Sequence, residues 1–283
     1  MPRLRAPIFL AGLAALAPLV VAGPAAADRE RRVWAGVQII AHRGASAYAP
    51  ENTLAAFRLA GQMRADLIEL DVRQTKDGHL VVVHDRTLTR TTDVKRRFPK
   101  LKPWRVRDLT LKQIKKLDAG SWFARRYKGE RVPTLAEALR TIKAARAKAL
   151  VELKNPEEYP GLTRRLVAQL EDDPYWTSYE RLTVQSFSWR YVKAVNDALP
   201  AVRGTVLGRP DSAELFGVRW YAEAVHPSKQ SVTAQYVRDA HQRWLEIYAY
   251  TINDEDTMLR LLEYGVDGIT TDRPDLLWDL RQG

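Results

Sequence analysis

Cysteine is absent from the 283-residue chain, and methionine and histidine are scarce, at 3 and 5. Without cysteine there can be no disulfide, zinc–thiolate centre, thiol nucleophile or lipidated cysteine, so stability must come from an apolar core. The chain also lacks a flexible linker, a helix-turn-helix pattern, a zinc finger and the interleaved aromatic and basic residues that stack on bases. These absences argue against nucleic acid as a partner. After the first two dozen residues no apolar run is long enough to span a bilayer.

The residues that are present suit a globular protein: 46% are hydrophobic and 28% charged, far from a disordered composition. The length fits one (β/α) barrel of about 250 residues. The start of the chain stands apart. Arg3 and Arg5 precede the apolar stretch 6–22, which Gly12 and Pro18 interrupt, and Ala25, Ala26 and Ala27 end it just before Asp28. This is the pattern of a secretory signal peptide over 1–27, cleaved after Ala27, which leaves 28–283 as a single secreted domain. Removing Arg3 and Arg5 lowers the basic count from 45 to 43 against 34 acids, a net charge of +9. Basic charge attracts polyanions; outside a cell these are anionic lipid headgroups or phosphate-rich wall polymers.

Short apolar strands then alternate with helical patterns, the signature of an α/β protein with a parallel sheet. Strands are predicted at 37–41, 67–72, 149–153, 182–185, 201–206, 222–225, 245–250 and 268–270. Between them lie helices at 53–63, 135–145, 161–170, 189–198, 213–220, 233–243 and 254–264. Eight strands predict a (β/α)8 TIM barrel. One further strand, 79–85, follows the second too closely for a parallel crossover, so the two form an antiparallel hairpin turning at Lys76, Asp77 and Gly78. Folding back there brings His84 level with Leu70 and Asp71. The segment 86–132, rich in Arg, Lys and Trp, reads as an insertion over the barrel mouth.

Active sites of such barrels lie at the C-terminal ends of the strands. The first strand ends in His42 and Arg43, the second carries Glu69 and Asp71 with His84 and Asp85 on its returning arm, and the third ends in Glu152 and Lys154. Arg203 and Thr205, and then Thr271 and Asp272, offer less, and His226 is a candidate substrate contact. Glu69 and Asp71 share one strand face, with roots roughly 6 to 7 Å apart. Acids directed into an apolar barrel repel unless protonated or neutralised. Glu152 can add a third carboxylate, and three oxygen donors suit one hard divalent ion, Ca²⁺ or Mg²⁺. Alternatively, these acids pair with Arg43 and Lys154 as a salt-bridge network. His42 and His84 can serve as acid and base, and Arg43 and Lys154 can hold phosphate oxygens. Together these groups describe phosphoryl transfer.

In order along the chain, "AHRGASAYAPENTLAAF", "IELDVRQTKDGHLVVVHD", "LTRTTD", "LDAGSWF", "VPTLAEAL", "VELK", "QSF" and "VDGITTDRPD" resemble the motifs of the glycerophosphodiester phosphodiesterase family. The resemblance runs from Val37 onward and implies a (β/α)8 barrel. It implies His42 and His84 as acid and base, Glu69, Asp71 and Glu152 as metal ligands, and Arg43 and Lys154 as phosphate-binding cations. Supporting roles follow for Glu51 and Asn52, which also suit the opening turn of a helix. In "AYTIND" the chain departs from the family's Trp-Thr-Val-Asn, which places Tyr250 at the tryptophan position as an aromatic wall. The implied reaction is hydrolysis of glycerophosphodiesters to sn-glycerol 3-phosphate and an alcohol. Alternatives are lysophospholipase D-like cleavage, degradation of wall teichoic acid, and a non-catalytic barrel that binds phosphoglycerides.

Overall fold

The structure is a computed structural model, and it describes Trp34 and residues 36–282. The expected signal peptide lies outside the described residues. Nine strands occur in chain order: β1 Gln38–Ala41, β2 Leu67–Gln74, β3 Leu80–Val82, β4 Lys148–Leu153, β5 Leu182–Ser186, β6 Arg203–Leu207, β7 Ala224–His226, β8 Glu246–Ala249 and β9 Gly268–Thr271. All except β3 run parallel to their neighbours, and β1 pairs with both β2 and β9, so eight strands close into a barrel. The principal helices are α1 Leu54–Gln62, α2 Leu135–Ala144, α3 Leu162–Glu171, α4 Trp189–Ala198, α5 Ser212–Val218, α6 Ala234–His241, α7 Glu255–Tyr264 and α8 Pro274–Gln282. The fold is the expected (β/α)8 barrel, with one helix, α8, that the sequence reading did not propose. Among the described residues, no helix is long and apolar enough to cross a membrane.

Period-two alternation explains how the barrel holds a core outside and chemistry inside. Along β2, Ile68, Leu70 and Val72 join the apolar layer shared with the helices, whereas Leu67 packs with Ile40, Leu150, Ala224 and Tyr248 inside the barrel. Glu69 and Asp71 follow Leu67 on that inner face, higher along the strand. Gly268 makes room for this interior: a Cβ there would lie 2.7 Å from the Tyr248 ring.

The hairpin forms as expected but its regular arm is shorter, since β3 ends at Val82. Val72 pairs with Val82 and Gln74 with Leu80, a register that puts His84 opposite Leu70. The insertion is not loose chain. Leu88, Val94, Val106, Leu109, Ile114 and Leu117 pack with Val81, Val83 and Val132 as a second apolar cluster beneath it. That burial fixes where the insertion's polar side chains emerge.

Candidate active site

His42 and Arg43 follow β1 directly, where the chain must turn sharply above the barrel. Arg43 has φ 56° and Gly44 φ 82°, two successive left-handed residues, and a Cβ on Gly44 would lie 2.7 Å from the Ala56 backbone. A left-handed arginine is uncommon and must be held by its contacts. Here its backbone N donates to Glu69 Oε2 at 2.7 Å, and its Nη1 donates to Glu51 Oε1 at 2.9 Å. The turn therefore links β1 to the acids of β2.

Glu69, Asp71 and Glu152 are all buried, and each offers a carboxylate oxygen within 4.8 Å of the others. Parallel pairing of β2 with β4 puts Asp71 opposite Glu152. Arg43 Nε lies 3.3 Å from Asp71 Oδ2, an ion pair outside hydrogen-bond geometry. Asn52 Nδ2 donates to the same oxygen at 2.7 Å. Lys154 Nζ is 2.6 Å from Glu152 Oε1 and 3.6 Å from Asp71 Oδ1. The three carboxylates thus lie close enough together to meet one ion, and Asp71 and Glu152 also pair with the two cations.

The three carboxyls titrate differently. Burial would raise that of Asp71, but the charges of Arg43, Lys154 and His84 and the bond from Asn52 hold it below the ordinary range. Burial raises Glu69 well above that range, helped by the charges of Asp71 and Glu152. Glu152 is likewise raised by burial and by Asp71, against the pull of Lys154. Two acids pushed towards their neutral forms, beside an ionised third, are a donor set that a divalent cation would stabilise. The residues present fit such an ion.

Each histidine has its own carboxylate. His42 Nδ1 lies 2.6 Å from Asp272 Oδ1, and Ser46 Oγ donates to that oxygen at 2.8 Å. Asn253 Nδ2 donates to Asp272 Oδ2 at 2.6 Å. Burial opposes the Asp272 charge, but these bonds, led by His42, bring its pKa down to about 2. His84 Nδ1 lies 2.7 Å from Asp85 Oδ1. Asp85 is also about 2: burial raises it, and Arg90 and His84 more than offset that. Burial lowers the pKa of His84, as do Arg43 and Lys154, against Asp71 and Asp85. A carboxylate at Nδ1 fixes that nitrogen as the N–H donor and leaves Nε2 to take or give a proton.

Direct contacts join Arg43, Glu51, Asn52, Glu69, Asp71, Glu152 and Lys154; His42 adjoins Arg43 in the chain, and the charge of Asp71 acts on His84. Tyr250 directly follows β8 at the same end of the barrel; burial and the Glu152 charge raise its phenol pKa, and Lys154 opposes. Its ring stands 6.3 Å from the exposed Phe187 ring, edge to face. Two further candidates have their polar groups taken up by the fold. Arg203 begins β6 at the opposite mouth, 2.8 Å from Glu246. His226 is 1% exposed, with Nδ1 2.8 Å from Gln185 Oε1 and Nε2 2.9 Å from Thr270 Oγ1. With both ring nitrogens engaged, it is a core residue that packs edge-on against Tyr250 at 5.2 Å and offers no free nitrogen to a substrate.

Sequence reasoning undervalued Asp272 and overlooked Arg90, Ser46 and Asn253. The signal for Asp272 was barrel closure. Ala41 pairs with Thr271, so the residues one step further, His42 and Asp272, must be neighbours. Arg90 lies in one of the quoted motifs, LTRTTD, but which side chains it meets depends on how the insertion folds.

A model of the glycerophosphoryl diester phosphodiesterase family matches residues 42–276. A glycerophosphodiester phosphodiesterase of Bacillus subtilis is 36% identical over 261 residues, covering 86% of each chain. One from Caldanaerobacter subterraneus is 36% identical over 245 residues, covering 86% of this chain and 96% of that one. The structure of an Oleispira antarctica phosphodiesterase in complex with the product sn-glycerol-3-phosphate is similar with a TM-score of 0.77 at 31% identity, covering 87% of this chain and 97% of its own. The barrel, the order of its strand-end side chains and these similarities agree: the chain belongs to the glycerophosphoryl diester phosphodiesterase family.

Proposed function

We propose that this family member is a secreted, metal-dependent phosphodiesterase that hydrolyses glycerophosphodiesters to sn-glycerol 3-phosphate and an alcohol such as choline, ethanolamine or glycerol. His42 and His84 are its acid and base. The observation that carries the reading is the pairing of each histidine's Nδ1 with its own carboxylate, Asp272 or Asp85, around one buried acidic triad. Further support comes from the Oleispira antarctica relative, whose structure holds sn-glycerol-3-phosphate.

Glu69, Asp71 and Glu152 would hold one Ca²⁺ or Mg²⁺. When bound, the ion would supply positive charge for the phosphoryl oxygens. Arg43 and Lys154, tethered beside the triad, bind the remaining phosphate oxygens and stabilise the charge that builds on them. One histidine removes a proton at Nε2 from the attacking oxygen, either water or the substrate's own neighbouring hydroxyl. The other gives its Nε2 proton to the departing alkoxide. In the second route the resulting cyclic phosphate is opened by water with the two roles exchanged. Tyr250 walls the side of the site next to Glu152 and Lys154. Secretion rests on the leader 1–27, and the net charge of +9 supports wall teichoic acid as an additional anionic substrate.

The test is release of glycerol 3-phosphate from glycerophosphocholine by the chain starting at Asp28, with chelator and then metal add-back. Turnover that a chelator abolishes and a divalent ion restores supports the reading. A folded, metal-loaded protein inert towards glycerophosphodiesters would overturn it. For secretion, the full-length chain should appear outside expressing cells with Asp28 as its first residue; retention inside with Met1 intact would contradict it.

A further inference from the structure

Beside the site lies a cavity of about 360 Å³ lined by Arg86, Arg105, Arg107, Glu158 and Tyr159, to which neither the acid–base pair nor the triad assigns a role. We infer that it is a second phosphate subsite, adjoining the first, which takes substrates whose alcohol portion carries a further phosphate. The inference rests on the function proposed above and names a substrate class within it.

Charge is the first argument. Glu158 is shared, 2.6 Å from Arg86 Nη2 and 3.9 Å from Arg107 Nη1. Arg105 makes no ion pair among the described residues. One carboxylate among three guanidinium groups leaves a net positive cavity, and the planar guanidinium matches phosphate oxygens two at a time.

Preorganisation is the second. Thr87 and Arg105 bridge in antiparallel fashion. Leu88 N donates to Trp104 O, and Val106 N to Arg86 O, both at 3.0 Å. Val106 is fully buried in the insertion's apolar cluster, so Arg105 and Arg107 on either side of it are anchored through the backbone while their side chains remain outside. Folding thus brings the three arginine backbones to one rim, from which their exposed side chains can close on a ligand.

Position is the third. Arg86 is two residues past His84, and Glu158 four past Lys154. Tyr159 of the cavity accepts from Arg73 Nη1 at 3.2 Å, and Arg73 Nη2 donates to His84 O at 2.6 Å. A single buried arginine therefore separates the cavity floor from the peptide of the histidine. An alcohol leaving from the first site with a phosphate attached has a cationic recess next to it.

The probes are glycerophosphocholine, with one phosphate, and a short oligo(glycerol phosphate) with two or three diester links. Inorganic phosphate serves as competitor. In the wild type the oligomer should show the lower KM. The double variant Arg105→Gln/Arg107→Gln should raise the oligomer's KM about tenfold, as loss of charge-assisted bonds implies, with glycerophosphocholine kinetics unchanged. Arg105→Lys/Arg107→Lys should recover only part of the loss. Arg96→Gln/Arg97→Gln, which removes the same charge elsewhere on the insertion, should do nothing. Inorganic phosphate should compete more weakly against the oligomer in the glutamine variant than in wild type. If it inhibits both proteins alike, or if both arginine pairs weaken the oligomer equally, the recess is not a site and only general surface charge is at work. Equal KM for both substrates in the wild type would overturn the inference and leave the proposed function intact. Absence of turnover on glycerophosphocholine itself would instead overturn the proposed function.

Discussion

Arg90, from the insertion, grips both oxygens of Glu51 in the first barrel loop, Nη1 to Oε2 at 2.6 Å and Nη2 to Oε1 at 2.7 Å. The same guanidinium holds Asp85 through Nε at 2.8 Å and Nη2 at 3.0 Å. Because Glu51 holds Arg43 and Asp85 holds His84, one side chain ties the cation side of the site to the histidine side. Arg90→Gln is expected to lower kcat about tenfold, within the range of effects from misplaced catalytic groups, and to move the pH profile as His84 loses its fixed partner. Arg90→Lys should recover little of this, since an ammonium cannot reproduce two forked contacts. An unchanged pH–rate profile in Arg90→Gln would show that the clamp does not position His84.

Asp272 should behave as the orienting carboxylate of His42. Asp272→Asn keeps the shape but can donate to Nδ1, which favours the wrong tautomer. Loss of about 10²-fold in kcat is expected, with KM nearly unchanged. A variant that raised KM and left kcat alone would place Asp272 in binding instead.

These two carboxylates also set acid stability. Asp85 and Asp272 titrate at about 2 in the folded protein, against about 3.9 in an unfolded chain. Folded pKa values below unfolded ones mean stabilisation that is complete above the unfolded value and is lost as pH falls through the folded one. Melting temperature should therefore decline between pH 4 and pH 2. Asp272→Asn should flatten that decline; an identical slope in the variant would contradict the assignment.

His226 should matter for stability and hardly at all for turnover. Burial lowers its pKa to about 3, so the unfolded chain binds an extra proton between that value and about 6.5. Stability contributed by the neutral ring thus falls as pH drops through this window. His226→Leu strands Gln185 and Thr270 and should cost about 1–3 kcal/mol while kcat stays near wild type. A large kcat loss at full stability would return His226 to the list of substrate contacts.

Metal removal should be visible without any assay of turnover. A chelator is expected to lower the melting temperature by releasing an ion bound only to the folded state. Asp71→Asn should abolish the difference between chelated and metal-loaded protein. No shift on chelation of a metal-loaded sample would contradict an ion at the triad.

Most of the site was legible because barrel strands impose simple rules. Alternation put Glu69 and Asp71 on one face, parallel pairing brought Glu152 beside them, and the short link to the hairpin delivered His84. What was not legible depends on relations between distant elements. Asp272 needed the ninth strand to be closed onto the first. Arg90 and the cluster of Arg86, Arg105 and Arg107 needed the path of an insertion whose order comes from scattered apolar residues such as Leu88, Val106 and Ile114, with no period to read. His226 was a candidate because it ends a strand at the same end as the other site residues, whereas Gln185 and Thr270 take up both of its ring nitrogens.

The most direct measurement compares glycerol 3-phosphate release from glycerophosphocholine by the wild type, His42→Ala and His84→Ala at one fixed metal concentration. Metal-dependent turnover in the wild type and a loss of at least about 10²-fold in each variant are expected. Near-wild-type rates in either variant, with the fold and metal binding intact, would contradict two-histidine acid–base catalysis.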